Sequence, residues 1–277
     1  MCHKITYKVL FLLFFSSWIS QSQTVKVACV GNSVTYGAGI KNRTTNSYPA
    51  QLQNLLGNNY QVKNFGFSGA TLLKNGHKPY WKKSVFKESQ KFAPNIVIIH
   101  LGLNDQGNNN WPKHKDEFIA DYLEMISIYK NLPSKPKVII CKMTPTFSGH
   151  HWFEEGMREN FKEIQSKIAK IAKVANVQLI DLHQKLYLFP EYFPDNLHPT
   201  EKGAKIIAQQ TYSGITGNFG GLQLPLLFGE KMVLQRNQPI EISGIANAKD
   251  ELKIRFNEQE KTVKVPKNGK WEAIFSK

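Results

Sequence analysis

The chain has 277 residues, enough for one good-sized core and a smaller second unit. Its formal net charge is +15, yet Arg43, Arg158, Arg236 and Arg255 are its only arginines and the lysines are scattered. Nucleic-acid binders cluster their charge and favour the bidentate guanidinium, so no nucleic-acid partner is expected. The excess reads as a solvated lysine surface that can favour an anionic substrate at long range.

Residues 1–23 stand apart. Lys4 and Lys8 precede the apolar run Val9 to Phe15, and Ser20-Gln-Ser22 offers small residues for cleavage. This is the pattern of a secretory signal peptide, too short and poorly flanked to span a membrane, and it predicts a secreted or periplasmic protein. Cys2 leaves with that segment. Cys29 and Cys141 remain, on predicted strands that, in the sheet order implied by the resemblance given below, have another strand between them. Two inter-strand steps make about 9–10 Å, beyond the roughly 7 Å reach of a disulfide, which predicts two buried free thiols.

The first predicted strand starts at Val25 and breaks at Gly31, with Ser33 just past the break. Ser47 to Leu56 reads as a helix closed by Gly57. Gln61 to Phe65 is a second strand, running into the small-residue turn Gly66-Phe-Ser-Gly69-Ala-Thr. The third, Asn95 to Leu101, is almost wholly apolar, as a strand covered on both faces should be, and ends in Gly102-Leu-Asn104-Asp105. Phe118, Tyr122, Ile126 and Tyr129 have helical spacing, and Lys137 to Cys141 is a fourth strand. Met157, Phe161, Ile164, Ile168 and Ile171 mark one face of a long helix. Val177 to Leu182 is a fifth strand, and a last helix follows His198-Pro-Thr200.

Strands alternating with helices predict an α/β domain over residues 24–216, with a parallel sheet, right-handed crossovers and helices on both faces. From 217 to 277 the pattern changes. Leu252, Ile254 and Phe256 alternate, as do Val263 and Val265, and Asn268-Gly269 precedes Lys270-Trp271 as a hairpin signal. This predicts part of an antiparallel β-sandwich, cut short with an unpaired edge.

Ser33, Gly69, Asn104 and the run Asp195 to His198 each follow the carboxyl end of a strand. Ligands of open parallel sheets gather at that edge. Taken singly, Ser33 reads as a helix cap, Gly69 as a turn glycine, Asn104-Asp105 as a turn pair, and Asp195 to His198 as a capping arrangement. Together they fit acyl transfer. A neutral serine is a weak nucleophile and needs a base, which His198 can supply. Asp195, three residues earlier, can orient the imidazole and stabilise its charge. The Ser33 and Gly69 backbone N–H groups and the Asn104 amide can receive the oxyanion, and losing one such donor typically costs about 3–4 kcal/mol of barrier.

This ordered set resembles the SGNH, or GDSL-type, hydrolase family over roughly Val25 to Ile215. Its four blocks are matched by Gly31-Asn32-Ser33, Gly69, Gly102-Leu103-Asn104-Asp105 and Asp195-Asn196-Leu197-His198. The resemblance implies a three-layer α/β/α sandwich with a five-stranded parallel sheet in the order 2-1-3-4-5. It also implies Ser33, Asp195 and His198 as catalytic residues, with Ser33, Gly69 and Asn104 as the oxyanion hole. The first block usually reads Gly-Asp-Ser; Asn32 can still hydrogen-bond the loop but brings no charge.

A second resemblance lies in Leu224-Pro-Leu-Leu-Phe-Gly-Glu-Lys-Met-Val-Leu-Gln-Arg236, Pro239 to Gly244 and Gly269-Lys-Trp271. These stretches are similar to the opening β-domain of sialate O-acetylesterases. The pair implies an enzyme that removes O-acetyl groups from sugars through an acetyl-serine, with 9-O-acetyl sialic acid as the leading substrate. Acetylxylan esterase, lipase and thioesterase are the alternatives within the family, and a glycan-binding protein with a decayed site is the alternative outside it.

Tyr80, Trp81, Trp111 and Trp152 follow strands and are candidates to stack on a sugar. No cofactor is expected, since the glycine-rich turns lack dinucleotide spacing, and the absence of a Gly-x-Ser-x-Gly elbow argues against the common α/β-hydrolase fold. His150-His151 with Glu154 and Glu155 reads as an exposed loop, since adjacent histidines point in different directions, and no metal is expected there.

Overall fold

The computed structural model describes residues 24–225, 227–229 and 232–276. The segment read as a signal peptide, 1–23, lies outside them, as do positions 226, 230 and 231 of the carboxyl-terminal string. No described helix is long and apolar enough to cross a membrane.

Five strands form one parallel sheet: β1 (Val25–Gly31), β2 (Tyr60–Gly66), β3 (Ile96–His100), β4 (Lys137–Cys141) and β5 (Gln178–Ile180). Their order is β2-β1-β3-β4-β5, and every pairing is parallel. Val27 to Val30 and Val97 to Ile99 are fully buried at consecutive positions. Neighbouring side chains of a strand point to opposite faces, so such runs require cover on both sides.

Helices supply that cover. After β1 come α1 (Ser33–Tyr36), α2 (Arg43–Asn46) and α3 (Tyr48–Leu56); α4 (Ser84–Lys91) precedes β3. Between β3 and β4 lie α5 (Trp111–His114) and α6 (Phe118–Lys130), then α7 (Met157–Val174) and α8 (Glu201–Thr216) flank β5. Helix α3 packs against α8, and α6 against α7. The stripe Met157, Phe161, Ile164, Ile168 and Ile171 is buried as its spacing requires.

The remaining strands, β6 (Ile240–Ile245), β7 (Glu251–Phe256), β8 (Gln259–Lys264) and β9 (Lys270–Phe275), form two antiparallel pairs, β6 with β9 and β7 with β8. Ala246, Val265 and Trp271 bury themselves in a small core of their own. The tight hairpin falls at Asn257-Glu258, where Asn257 takes φ 51°. Asn268-Gly269 serves a different turn. It bends the chain between β8 and β9, which are not ladder partners, and Gly269 at φ 74° lies against the Phe219 ring.

Cys29 and Cys141 are both buried and free. They sit on β1 and β4 with β3 between, and burial pushes the Cys29 thiol up to about 12 and Cys141 up as well. The thiolate is the reactive form. Neither residue should therefore react with a disulfide reagent in the native protein, and both should react after unfolding in guanidinium. Rapid labelling of either thiol in the folded state would contradict this burial.

Candidate active site

Glycines at the strand ends bring the site together. A Cβ on Gly66 would stand 2.2 Å from the Tyr36 nitrogen, and one on Gly31 would meet the Thr35 hydroxyl at 2.1 Å. Only bare backbone lets α1 lie this close to the edge formed by β1 and β2. Asn32 caps α1, its Oδ1 accepting from the Val34 N–H at 3.0 Å. Ser33 is thus the first helical residue and not the cap, and its side chain is free for another partner.

That partner is His198. Its Nε2 lies 2.8 Å from Ser33 Oγ, and its Nδ1 lies 2.7 Å from Asp195 Oδ2. A carboxylate only accepts, so it fixes the proton on Nδ1 and leaves the Nε2 lone pair to accept from the serine hydroxyl. Asp195 also accepts the backbone N–H groups of Leu197 at 3.0 Å and His198 at 2.6 Å through Oδ1. Burial raises its pKa, but the bonds from His198 and Leu197 outweigh that and hold the carboxyl below its ordinary value. The turn is tight: Asn196 takes φ 63°, a left-handed conformation that asparagine tolerates. Its carbonyl accepts from Phe147 N–H at 2.8 Å, which ties the β4–α7 connection to the turn.

Two loops face this trio. Gly69 takes φ 80°, and neither its N–H nor that of Ser33 donates to any protein group among the described residues. Asn104 places one amide hydrogen on the Ala70 carbonyl at 2.9 Å, leaving the other unassigned. Three donors past the carboxyl ends of β1, β2 and β3 therefore remain available among the described residues. Asp105, read from sequence only as part of a turn, proves to be a clamp. Fully buried, it accepts the Leu72 and Leu73 N–H groups at 2.9 and 2.8 Å. With the Asn104 amide it pins the Gly69 loop to the end of β3.

The structure corrects three of the four aromatic assignments. Tyr80 is fully buried and donates its hydroxyl to the Phe65 carbonyl at 2.6 Å. Trp111 is buried against Phe118 and donates to Glu163 at 2.8 Å. Trp81 is half-buried, with its N–H on the Leu72 carbonyl, its ring against Phe86 and the Lys74 ammonium 4.6 Å from the ring centre. Amphipathic rings bury their bodies and find carbonyls for their polar tips, so these three pack the core and do not stack on substrate. Trp152 alone reaches the neighbourhood of the trio, through His150.

His150 is a second correction, since it is buried and not part of an exposed loop; His151 remains exposed. Its ring lies 6.4 Å from that of His198, and its Nδ1 accepts from Trp152 N–H at 3.1 Å. Ligand atoms of His150, Asp195 and His198 lie within 4.8 Å of one another. The Asp195 and His198 atoms already bond each other, so a cation held there would break the pair that orients the imidazole.

A buried serine on an imidazole with a carboxylate behind it, at the carboxyl edge of a parallel sheet, is the arrangement of a serine hydrolase. Residues 29–206 match the GDSL-like lipase/acylhydrolase family, and the chain belongs to it. An acetylxylan esterase of Xylanibacter ruminicola is 35% identical over 211 residues, which is 68% of this chain and 42% of that one. The chain thus spans less than half the length of that relative. Among solved structures, an acetyl xylan esterase superposes with a TM-score of 0.54 at 19% identity, covering 69% of this chain and all of the other. The aryl esterase of M. Smegmatis gives 0.54 at 18%, covering 69% and 98%. At these identities the two structures speak for the fold alone.

The Asp105 clamp has a testable signature. Asp105→Asn keeps the shape but turns one acceptor into a donor facing a backbone N–H, so stability should fall by about 1–3 kcal/mol. Burial also pushes the Asp105 carboxyl from 3.8 up to about 7. Between those values the native state holds a proton that the unfolded chain has released. The group's contribution to stability is therefore full below the lower value and lost as pH rises through the upper one. Denaturant melts from pH 4 to 7 should show this decline in the wild type and a flatter profile in the variant; equal slopes would refute the assignment.

Proposed function

We propose that this protein is a carbohydrate O-acetylesterase with Ser33 as nucleophile, His198 as base and Asp195 as the residue that orients it. The observation carrying the proposal is the unbroken line Ser33–His198–Asp195, with contacts of 2.8 and 2.7 Å. Ser33 Oγ attacks the acetyl carbonyl carbon while its proton passes to His198 Nε2. The tetrahedral oxygen takes its hydrogen bonds from Ser33 N–H, Gly69 N–H and the Asn104 amide. Collapse breaks the ester C–O bond, and Nε2 returns the proton to the sugar oxygen. Water then attacks the acetyl-serine with His198 again as base, and acetate leaves.

Acetylated xylan is the first substrate we assign, supported by the relative that shares 35% of its residues over 211 positions. A second reading, O-acetyl sialic acid, rests on the carboxyl-terminal string Leu224 to Arg236 and its likeness to sialate O-acetylesterases. Acetate release from acetylated xylan against mono-O-acetyl sialic acid separates them. Ser33→Ala should lower kcat by about 10⁴-fold or more with either substrate or with an aryl acetate. Activity surviving that change would remove Ser33 from the mechanism. A preference for aryl esters of about eight carbons or more would point to a lipase, and glycan binding without any ester cleavage to a non-catalytic protein.

Export is part of the same proposal, supported by the Lys4 and Lys8 pair ahead of the apolar run Val9 to Phe15. Amino-terminal sequencing of protein recovered outside the cytoplasm should begin near residue 23; an intact Met1 there would count against a cleaved signal.

A further inference from the structure

Beside the Gly69 loop lies a cationic, aromatic surface that the triad does not use. Phe67 donates its backbone N–H to the Gly31 carbonyl at 2.9 Å, so its position is tied to the strand that delivers Ser33. Its half-buried ring carries two ammonium groups, Lys78 Nζ at 5.2 Å and Lys83 Nζ at 5.1 Å from the centroid. Lys78 also reaches Gly69: its Nζ lies 3.3 Å from where a Cβ on that glycine would stand. The reach is built into the backbone. Thr71 N–H donates to the Lys78 carbonyl at 3.0 Å and Tyr80 N–H to the Thr71 carbonyl at 2.9 Å, folding the segment back over the loop.

Three lysines of the α/β unit have carboxylates: Lys74 pairs with Glu124, Lys142 with Asp181 and Lys167 with Glu163. Lys78 and Lys83 pair with none among the described residues. Two like charges on one ring repel, and the ring's quadrupole compensates only part of that. A bound anion would relieve the rest.

We infer that Phe67, Lys78 and Lys83 form a subsite for a sugar carboxylate, so that the ester cleaved is carried on a glycan containing an acidic sugar, a hexuronate or a sialate. This deepens the esterase reading and rests on it for the ester, but the carboxylate subsite can be tested apart from turnover. The probes are D-glucuronate, N-acetylneuraminate and neutral D-glucose, used as competitive inhibitors of aryl acetate hydrolysis at constant low ionic strength. At least one acidic sugar should inhibit about tenfold more tightly than glucose, the scale of one ammonium–carboxylate contact. That preference should shrink at ~0.5 M salt, where charges are screened.

Lys78→Gln and Lys83→Gln should bring the ratio of acidic to neutral inhibition toward one, and Lys78→Arg should retain it. A purely structural role would weaken glucose equally and leave the ratio unmoved. Which acid prevails identifies the source of the carboxylate. Equal inhibition by acidic and neutral sugars, or a preference that persists in the Lys78→Gln/Lys83→Gln double variant, overturns the subsite. Calorimetric binding of the same three sugars to Ser33→Ala protein reads the ratio without catalysis, so failure of the esterase reading and failure of the subsite give different results.

Discussion

One hydrogen bond, from Ser33 Oγ to His198 Nε2, joins positions 165 residues apart, and much of the α/β unit serves to hold it. The sheet order makes this demanding. Strand β1, which delivers the serine, is separated from β5 by β3 and β4. Three inter-strand steps amount to about 14 Å, so a histidine at the tip of β5 could not reach. The stretch between Ile180 and His198, with its 3₁₀ turns at Leu186–Leu188 and Pro190–Tyr192, returns the chain across the sheet edge. Asp195 then fixes the last turn through three hydrogen bonds on two oxygens.

The loop after β2 is held by a different device. The Gly69 loop has no regular structure, and its hydrogen bonds must come from elsewhere if it is to present a free N–H. Asn104 and Asp105, adjacent in sequence, both reach across to it, one donating and one accepting. This leaves the Gly69 N–H without a protein acceptor among the described residues while its neighbours are fixed. Asn32 shows the other side of the account: its Oδ1 caps α1 while its Nδ2 is buried without a partner among the described residues. An unsatisfied buried donor costs about 1–3 kcal/mol, a local cost carried one residue before the serine.

The placement of Ser33, Asp195 and His198 past strand ends was legible in the sequence because it rests on backbone rules, whereas the strand order came from the resemblance to the GDSL-type family. Apolar runs without alternation mark doubly covered strands, and breaks after them mark the edge where side chains are presented. The aromatic residues were not legible. Nothing local separates the Trp152 indole, near the histidines, from that of Trp111, sealed against Phe118; tertiary packing alone decides which face is filled. Asp105 escaped for a related reason, since the N–H groups it accepts belong to residues more than thirty positions earlier. His150 escaped because a His-His pair among polar residues looks solvated until the β4–α7 connection is seen docked on the Asn196 turn.

Helix α8 follows His198 directly and packs on α3, whose start lies near the end of α1. The imidazole therefore reaches the serine only when the final helix of the α/β unit has closed onto the first ones. Without that closure the hydroxyl has no proton acceptor, so activation of the serine is coupled to completion of the packing between α8 and α3.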